Sequence, residues 1–351
     1  LSAAMPFISV KLFGSELYGE YKYYFSIAMM LSILSKMGLD TSLLYYIPKT
    51  GYRYISSSFL IVTTLSILIG TIYVFIERSF GLYVPLFILL SLHSLFLSIH
   101  RSSGKIKEYY LVNAFGQIGL SIILLVLFNF LDIHQSILLA VTLGYLIANV
   151  ILFIYNKGYF GKLVYSKDLI LYSLPMLITS AMSLIMNRID VIMLKQYMDD
   201  SAVGVYSIAA NIATLPSYLL IIFKTVFAPK ISQLYHAGEE RELIKIYTVS
   251  TRMLMSVSWV VIIVVIIINQ WILGFFGPEF LAAGNVVLYR GIGQAVSCSV
   301  GSVWYMLSMT GKGKLNMIGT SMSALINIVL NFILIPSMGM EGAAIASMIA
   351  V

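Results

Sequence analysis

The 351 residues are 60% hydrophobic and only 11% charged, with a formal net charge of +7. A water-soluble domain carries roughly 25% charged residues, so a chain this apolar cannot cover itself as a soluble globule; a bilayer removes the requirement, because apolar side chains then face lipid. The basic residues sit in short loops between apolar runs, without a basic tail or an RNA- or DNA-binding motif, so the positive balance reads as a membrane-orientation signal and nucleic acid is not an expected partner.

Apolar segments long enough to span, about 20 residues each, fall at 1–13, 23–47, 55–76, 82–99, 109–131, 135–155, 171–197, 203–228, 250–274, 283–309, 314–336 and 341–351. The first and last are partial, because Leu1 and Val351 both lie inside apolar stretches. This pattern predicts an all-α integral membrane protein of about 12 transmembrane helices. The expected organisation is two six-helix lobes around a central cavity: an N-terminal lobe over 1–155, a cytoplasmic linker over 156–170 and a C-terminal lobe over 171–351.

Lys and Arg alternate in density from one side to the other. One side carries Lys49 and Arg53; Arg101, Lys105 and Lys107; Lys157, Lys162 and Lys167; Lys230, Arg241, Lys245 and Arg252; and Lys312 and Lys314. The other carries Lys11, Lys22, Arg78 and Lys195. The bias places the richer side, and the N-terminus, in the cytoplasm. A weak internal repeat accompanies it: Tyr18-Gly19-Glu20-Tyr21 before a segment ending near Pro48, and Val203-Gly204-Val205-Tyr206 before one ending near Pro229. Six expected helices separate the copies, so both have the same orientation, as in transporters built from parallel repeats.

Charged residues inside the spans carry the functional information, since a mid-bilayer Lys, Arg or Asp costs roughly 2.5–3.5 kcal/mol on insertion scales and usually faces protein or water. The spans contain Lys36, Asp40, Arg188, Asp190, Lys224 and Arg290. Lys36 and Asp40, four apart, share a helix face and can pair or line a cavity. Arg188 and Asp190, two apart, point different ways, whereas Asn187 and Asp190 share a face. Lys224 and Arg290 lie near helix ends and can reach headgroups or a cavity. Four cations against two acids suit an anionic group, and Arg offers phosphate two parallel hydrogen bonds. The acids Asp40 and Asp190, with Asn187, are candidates for ion coupling by H⁺ or Na⁺ or for charge pairing. The tyrosines Tyr23, Tyr24, Tyr45 and Tyr46 read as interfacial anchors or sugar-stacking surfaces. Gly291, Gly293 and Gly301 read as close-packing positions, and Pro175, Pro216 and Pro229 as kinks or helix ends.

The lone Cys298 permits no internal disulfide, and the four histidines show no metal-binding spacing. The chain has no G-x-x-x-x-G-K-[ST] loop and no G-x-S-x-G element. Neither a metal nor another cofactor is expected, nor a site of covalent catalysis.

Several stretches in order resemble a known family: Tyr172-Ser173-Leu174-Pro175, Arg188-Ile189-Asp190-Val191-Ile192-Met193-Leu194, Phe227-Ala228-Pro229-Lys230-Ile231-Ser232, Phe276-Gly277-Pro278-Glu279-Phe280, and Leu330-Asn331-Phe332-Ile333-Leu334-Ile335-Pro336 with Gly339 and Gly342-Ala343-Ala344-Ile345-Ala346. Leu12-Phe13-Gly14 and Gly38-Leu39-Asp40 fit it in the first half. The chain resembles the polysaccharide-biosynthesis exporters of the multidrug/oligosaccharidyl-lipid/polysaccharide superfamily, which include O-antigen repeat-unit flippases. The resemblance implies a transporter in a bacterial or archaeal plasma membrane that moves an undecaprenyl-diphosphate-linked oligosaccharide by alternating access. Its partners would be that substrate, membrane lipids, a coupling ion and polysaccharide polymerase machinery. A cation-coupled multidrug exporter, a peptidoglycan-precursor flippase, a membrane polymerase or glycosyltransferase and a structural scaffold stand as alternatives.

Overall fold

The computed structural model describes residues 4–103, 105–131, 136–218, 234, 238–300, 303, 306–307 and 313–351. Among them every regular element is helical: the protein is an all-α, multi-pass membrane protein. Among the described residues seven helices are long and apolar enough to cross a bilayer, or up to eight when the bent pair Ala4–Lys36 and Leu39–Thr50 counts as one span. The chain divides into two compact units, Leu1–Arg188 and Ile189–Val351.

Unit 1 contains α1 (Ala4–Lys36), α2 (Leu39–Thr50), α3 (Ile55–Ile76), α4 (Val84–Ser102), α5 (Ile106–Leu111), α6 (Leu120–Phe130), α7 (Ser136–Asn156) and most of α8 (Lys167–Tyr197). The expected separation of 1–13 from 23–47 is replaced by one helical run interrupted at Gly14, whose φ of 81° and ψ of 175° are not helical. A second break falls at Met37 and Gly38, both at positive φ. In the core, Leu43, Ile55, Leu95, Ile99 and Leu152 are all fully buried. They come from α2, α3, α4 and α7, and α4 packs on each of the other three. Outward, Ile67, Ile72 and Phe75 of α3 are exposed, as a lipid-facing stripe requires. Serine hydroxyls inside these helices bond back to carbonyls one turn earlier, as Ser26 does to Lys22 and Ser91 to Phe87, which satisfies them without water.

Unit 2 contains the end of α8, α9 (Asp200–Ala213), α10 (Glu240–Phe276), α11 (Gly284–Ser299) and α12 (Gly313–Ala350). The expected spans 314–336 and 341–351 join in α12, which is interrupted at Gly339. Helix α11 packs on α9, α10 and α12. A Cβ at Gly293 would stand 2.8 Å from the Met348 Cα, so the small residue sets how closely α11 meets α12. Gly291 similarly lies against Ile262 of α10. Gly301 and Pro229 lie outside the described residues.

Both units repeat one device. A six-residue 3₁₀ helix, Arg78–Tyr83 or Pro278–Ala283, turns the chain between two long helices and plugs the corner with a fully buried Phe80 or Phe280. The sequence repeat has a structural counterpart as well. In unit 1 the helix resumes after Gly14, five residues before Gly19; in unit 2 α9 starts after Asp199, five residues before Gly204. The Asp199 side chain caps α9 by accepting the Ala202 N–H at 2.9 Å. Asp199→Ala will therefore lower the unfolding free energy by about 1 kcal/mol, measured by thermal unfolding in detergent, while Asp199→Asn will retain most of it.

The segment between α7 and α8 is pinned within unit 1. The Gly161 N–H donates to the Ser56 hydroxyl and the Val164 N–H to that of Ser57, at 2.9 and 2.7 Å. Tyr45 and Tyr46 form an aromatic cluster with Tyr172, Tyr45 stacking on it at 4.7 Å. Tyr24 stacks on Tyr83 at 4.6 Å.

Candidate functional site

The intramembrane charges form three separate constellations among the described residues. The first lies in unit 1 at the break between α1 and α2. Lys36 ends α1, Asp40 stands in the first turn of α2, and the Lys36 ammonium donates to Asp40 Oδ2 at 3.0 Å. The other carboxylate oxygen accepts the Thr41 N–H at 2.9 Å. The four-residue spacing thus makes the expected pair even though the helix is interrupted between the partners.

The second constellation is the interior of unit 2. Asp190, 1% exposed, comes from α8. Its Oδ2 accepts from Arg290 Nη1, from the Ser347 hydroxyl and, at 2.8 Å, from the Tyr206 hydroxyl. Its Oδ1 accepts from Asn331 Nδ2 at 2.8 Å. Arg290 Nη1 also donates to Tyr206 and Ser347, and Asn331 Nδ2 also reaches Asn327 Oδ1 at 3.2 Å. Four helices, α8, α9, α11 and α12, therefore meet on one carboxylate. The pair is charge-balanced and both carboxylate oxygens are hydrogen-bonded, which offsets part of the hydration lost on burial, whereas Arg290 Nε and Asn331 Oδ1 are buried without a hydrogen-bond partner among the described residues. Sequence spacing brought Asp190 and Arg290 to notice separately; nothing in it joined residues 100 positions apart. Asn327 and Asn331, four apart in an apolar run, were a legible signal.

The third constellation is cationic and lies in unit 1. The Arg188 guanidinium stands over the Phe25 ring, 5.8 Å from its centroid. Lys22 of α1 lies 5.4 Å from the Tyr18 ring centroid, close enough to Arg188 for the two charges to repel. The charge of Arg188 also acts on the hydroxyls of Tyr21 and Tyr145. Tyr145 packs edge-on against His93, whose ring bonds Asn149 Oδ1 at 2.9 Å and approaches Asn113 Oδ1 at 3.5 Å. Asn113 sits in a π-helical stretch, Val112–Gly119, between α5 and α6; such stretches are rare and concentrate at functional sites. Lys22 has no carboxylate partner among the described residues. The hydropathy pattern places Lys22 outside the spans, whereas in the structure the helix resumes after Gly14, eight residues before it.

Of the remaining candidates, Asn187 is exposed and its amide donates to the Ser183 carbonyl of its own helix at 2.6 Å. Lys224 lies outside the described residues, as does the stretch 227–232. Of the three expected cations among the described residues, Lys36 and Arg290 each hold a carboxylate, and Arg188 stands over the Phe25 ring within electrostatic reach of Lys22.

This helical fold is that of the flippases and drug exporters of one transporter superfamily. Over 99% of this chain and 82% of the other, it superposes on an inward-closed lipid II flippase MurJ with a TM-score of 0.80 at 15% identity. An inward-facing multidrug resistance MATE family transporter gives 0.78 at 14% identity, covering 99% and 91% of the two chains. A superfamily transporter from Pyrococcus furiosus, described as having a binding pocket of reverse polarity, gives 0.62 at 13% identity over 98% and 85%. No curated protein matches the chain. Residues 5–235 match the model of the polysaccharide biosynthesis protein family, and 175–333 match that of MatE. The chain belongs to the polysaccharide biosynthesis protein family.

Proposed function

We propose that the protein is a flippase moving an undecaprenyl-diphosphate-linked oligosaccharide from the cytoplasmic to the periplasmic leaflet of a bacterial or archaeal plasma membrane. The observation that carries this reading is the placement of two cations among apolar helices, Lys22 beside the Tyr18 ring and Arg188 over the Phe25 ring, within electrostatic reach of each other. Two like charges at membrane depth favour an anion near both of them. A diphosphate has the charge for both, and the planar Arg fork suits its oxygens. The partly exposed rings of Phe25 and Tyr145 beside the cations offer flat faces for the first sugar, while the lipid tail stays in the bilayer.

Transport by this reading is alternating access between lobes over 1–155 and 171–351 joined by 156–170, with the N-terminus cytoplasmic. The ion pairs Lys36–Asp40 and Arg290–Asp190 are where H⁺ or Na⁺ would compete for a carboxylate, and Lys224 completes the cationic set. A cation-coupled multidrug exporter is the second reading, favoured by the MatE match over 175–333; adjacent cations at Lys22 and Arg188 disfavour its cationic cargo.

In cells that depend on this protein for surface polysaccharide, Lys22→Met and Arg188→Ala are expected each to lower polysaccharide at least tenfold at unchanged protein abundance. Normal polysaccharide in both variants would overturn the proposal. A loss of drug resistance with polysaccharide intact would establish the exporter instead.

A further inference from the structure

A second basic site lies far along the chain from these cations, at the end of unit 1 where the α2–α3, α4–α5 and α7–α8 connections meet. It holds an open cavity of about 300 Å³, at the lower end of the roughly 300–1,000 Å³ range of small-molecule sites. Tyr52 and Tyr159 form one wall, stacked with centroids 3.8 Å apart and planes within 15°. Both rings are fixed from outside the cavity. The Tyr52 hydroxyl lies 3.2 Å from the Ser103 hydroxyl, and the Lys105 ammonium donates to the Tyr159 hydroxyl at 3.0 Å. That bond holds the Lys105 ammonium above the ordinary lysine range, so the charge persists. Gly161, Lys162 and Val164 of the strap pinned to Ser56 and Ser57 also line it.

Arg53 and Lys162 line this cavity, and neither pairs with a carboxylate among the described residues. Glu108 lies within electrostatic reach of Lys105 but does not line the cavity. The strap continues past Lys162 with Leu163 and Tyr165, which are 63% and 77% exposed. An exposed apolar side chain and an exposed tyrosine just past a cation mark a segment resting at the membrane interface, where apolar bodies enter acyl chains and polar tips stay with the headgroups.

We infer that this cavity binds the phosphate of an anionic phospholipid headgroup, with Arg53 and Lys162 as the phosphate-holding cations, the stacked tyrosines as a rigid wall, and Leu163 and Tyr165 against the acyl chains. A preformed basic pocket at a membrane rim selects anionic over zwitterionic lipid because each cation adds attraction at the surface. Such a ligand would be resident, distinct from any transported molecule, and the assignment does not depend on what is carried.

Native mass spectrometry of the full chain released from detergent, with phosphatidylglycerol or phosphatidylcholine added, tests it. The unaltered protein should retain one phosphatidylglycerol well above phosphatidylcholine. The double variant Arg53→Gln with Lys162→Gln should weaken that adduct roughly ten- to thirtyfold, while Lys107→Gln, an exposed cation on the same rim but outside the cavity, should leave it. Equal retention of both lipids, an unchanged adduct in the double variant, or equal weakening by Lys107→Gln would each overturn the proposal. Glycerol 3-phosphate supplies the soluble arm: displacement of the lipid at comparable concentration would assign a free phosphate ester and overturn the lipid. A transport defect at Lys22 or Arg188 leaves these results unaffected, so the two readings fail separately.

Discussion

Arg290→Met will cost unit 2 about 3–5 kcal/mol, the usual loss when one partner of a buried ion pair is removed. Asp190 is 1% exposed, so its carboxylate cannot recover water when the guanidinium leaves. Tyr206, Ser347 and Asn331 remain as donors, but they stabilise a charge without neutralising it. The double variant Asp190→Asn with Arg290→Met should recover most of the loss, since a neutral amide among the same hydroxyls carries no buried charge. Thermal or denaturant unfolding in detergent micelles, run as a double-mutant cycle, measures the coupling directly. A single variant within 1 kcal/mol of the unaltered protein would mean that water reaches this carboxylate.

Gly38→Ala will damage unit 1 by about 3 kcal/mol or more. Two effects add at that position. Its φ is 76°, in the left-handed region that costs a residue with a Cβ roughly 1–2 kcal/mol. A Cβ would also stand 2.3 Å from the Ser173 carbonyl oxygen and 2.8 Å from the Leu177 nitrogen. Both are backbone atoms of α8, so a side-chain rotation cannot relieve the clash and the helix itself must shift. The displacement would fall beside the Lys36–Asp40 pair, so loss of that 3.0 Å contact should accompany the destabilisation. Gly238→Ala is the informative control: its φ of 73° is close to that of Gly38, but a Cβ there meets nothing within 4 Å. It should show the conformational cost alone, and equal losses at the two glycines would refute the steric account.

What the sequence disclosed follows from which forces are local. Apolar runs longer than a bilayer is thick specified most helices, and the i to i+4 spacing of Lys36 and Asp40 specified their pairing. The helix ends were less legible: Gly14 and Gly339 interrupt runs through backbone angles that composition does not encode. That hid the place of Lys22, whose helix starts earlier than its hydropathy suggests. Arg290 and Asp190 were each recognisable as costly charges, but their partnership depends on four helices converging, which no local pattern records. The basic residues Arg53 and Lys162 were visible only as orientation signals; their shared cavity arises where two connections distant in sequence, α2–α3 and α7–α8, meet.

The strap before α8 carries a mechanical consequence. Val164 is tied to Ser57, and Lys167 opens α8, so only Tyr165 and Ser166 are slack between the knot and the helix. Three residue steps reach at most about 11 Å when fully drawn out. The foot of α8 is thus on a short leash to the foot of α3, and any longer stride must first untie a serine hydroxyl.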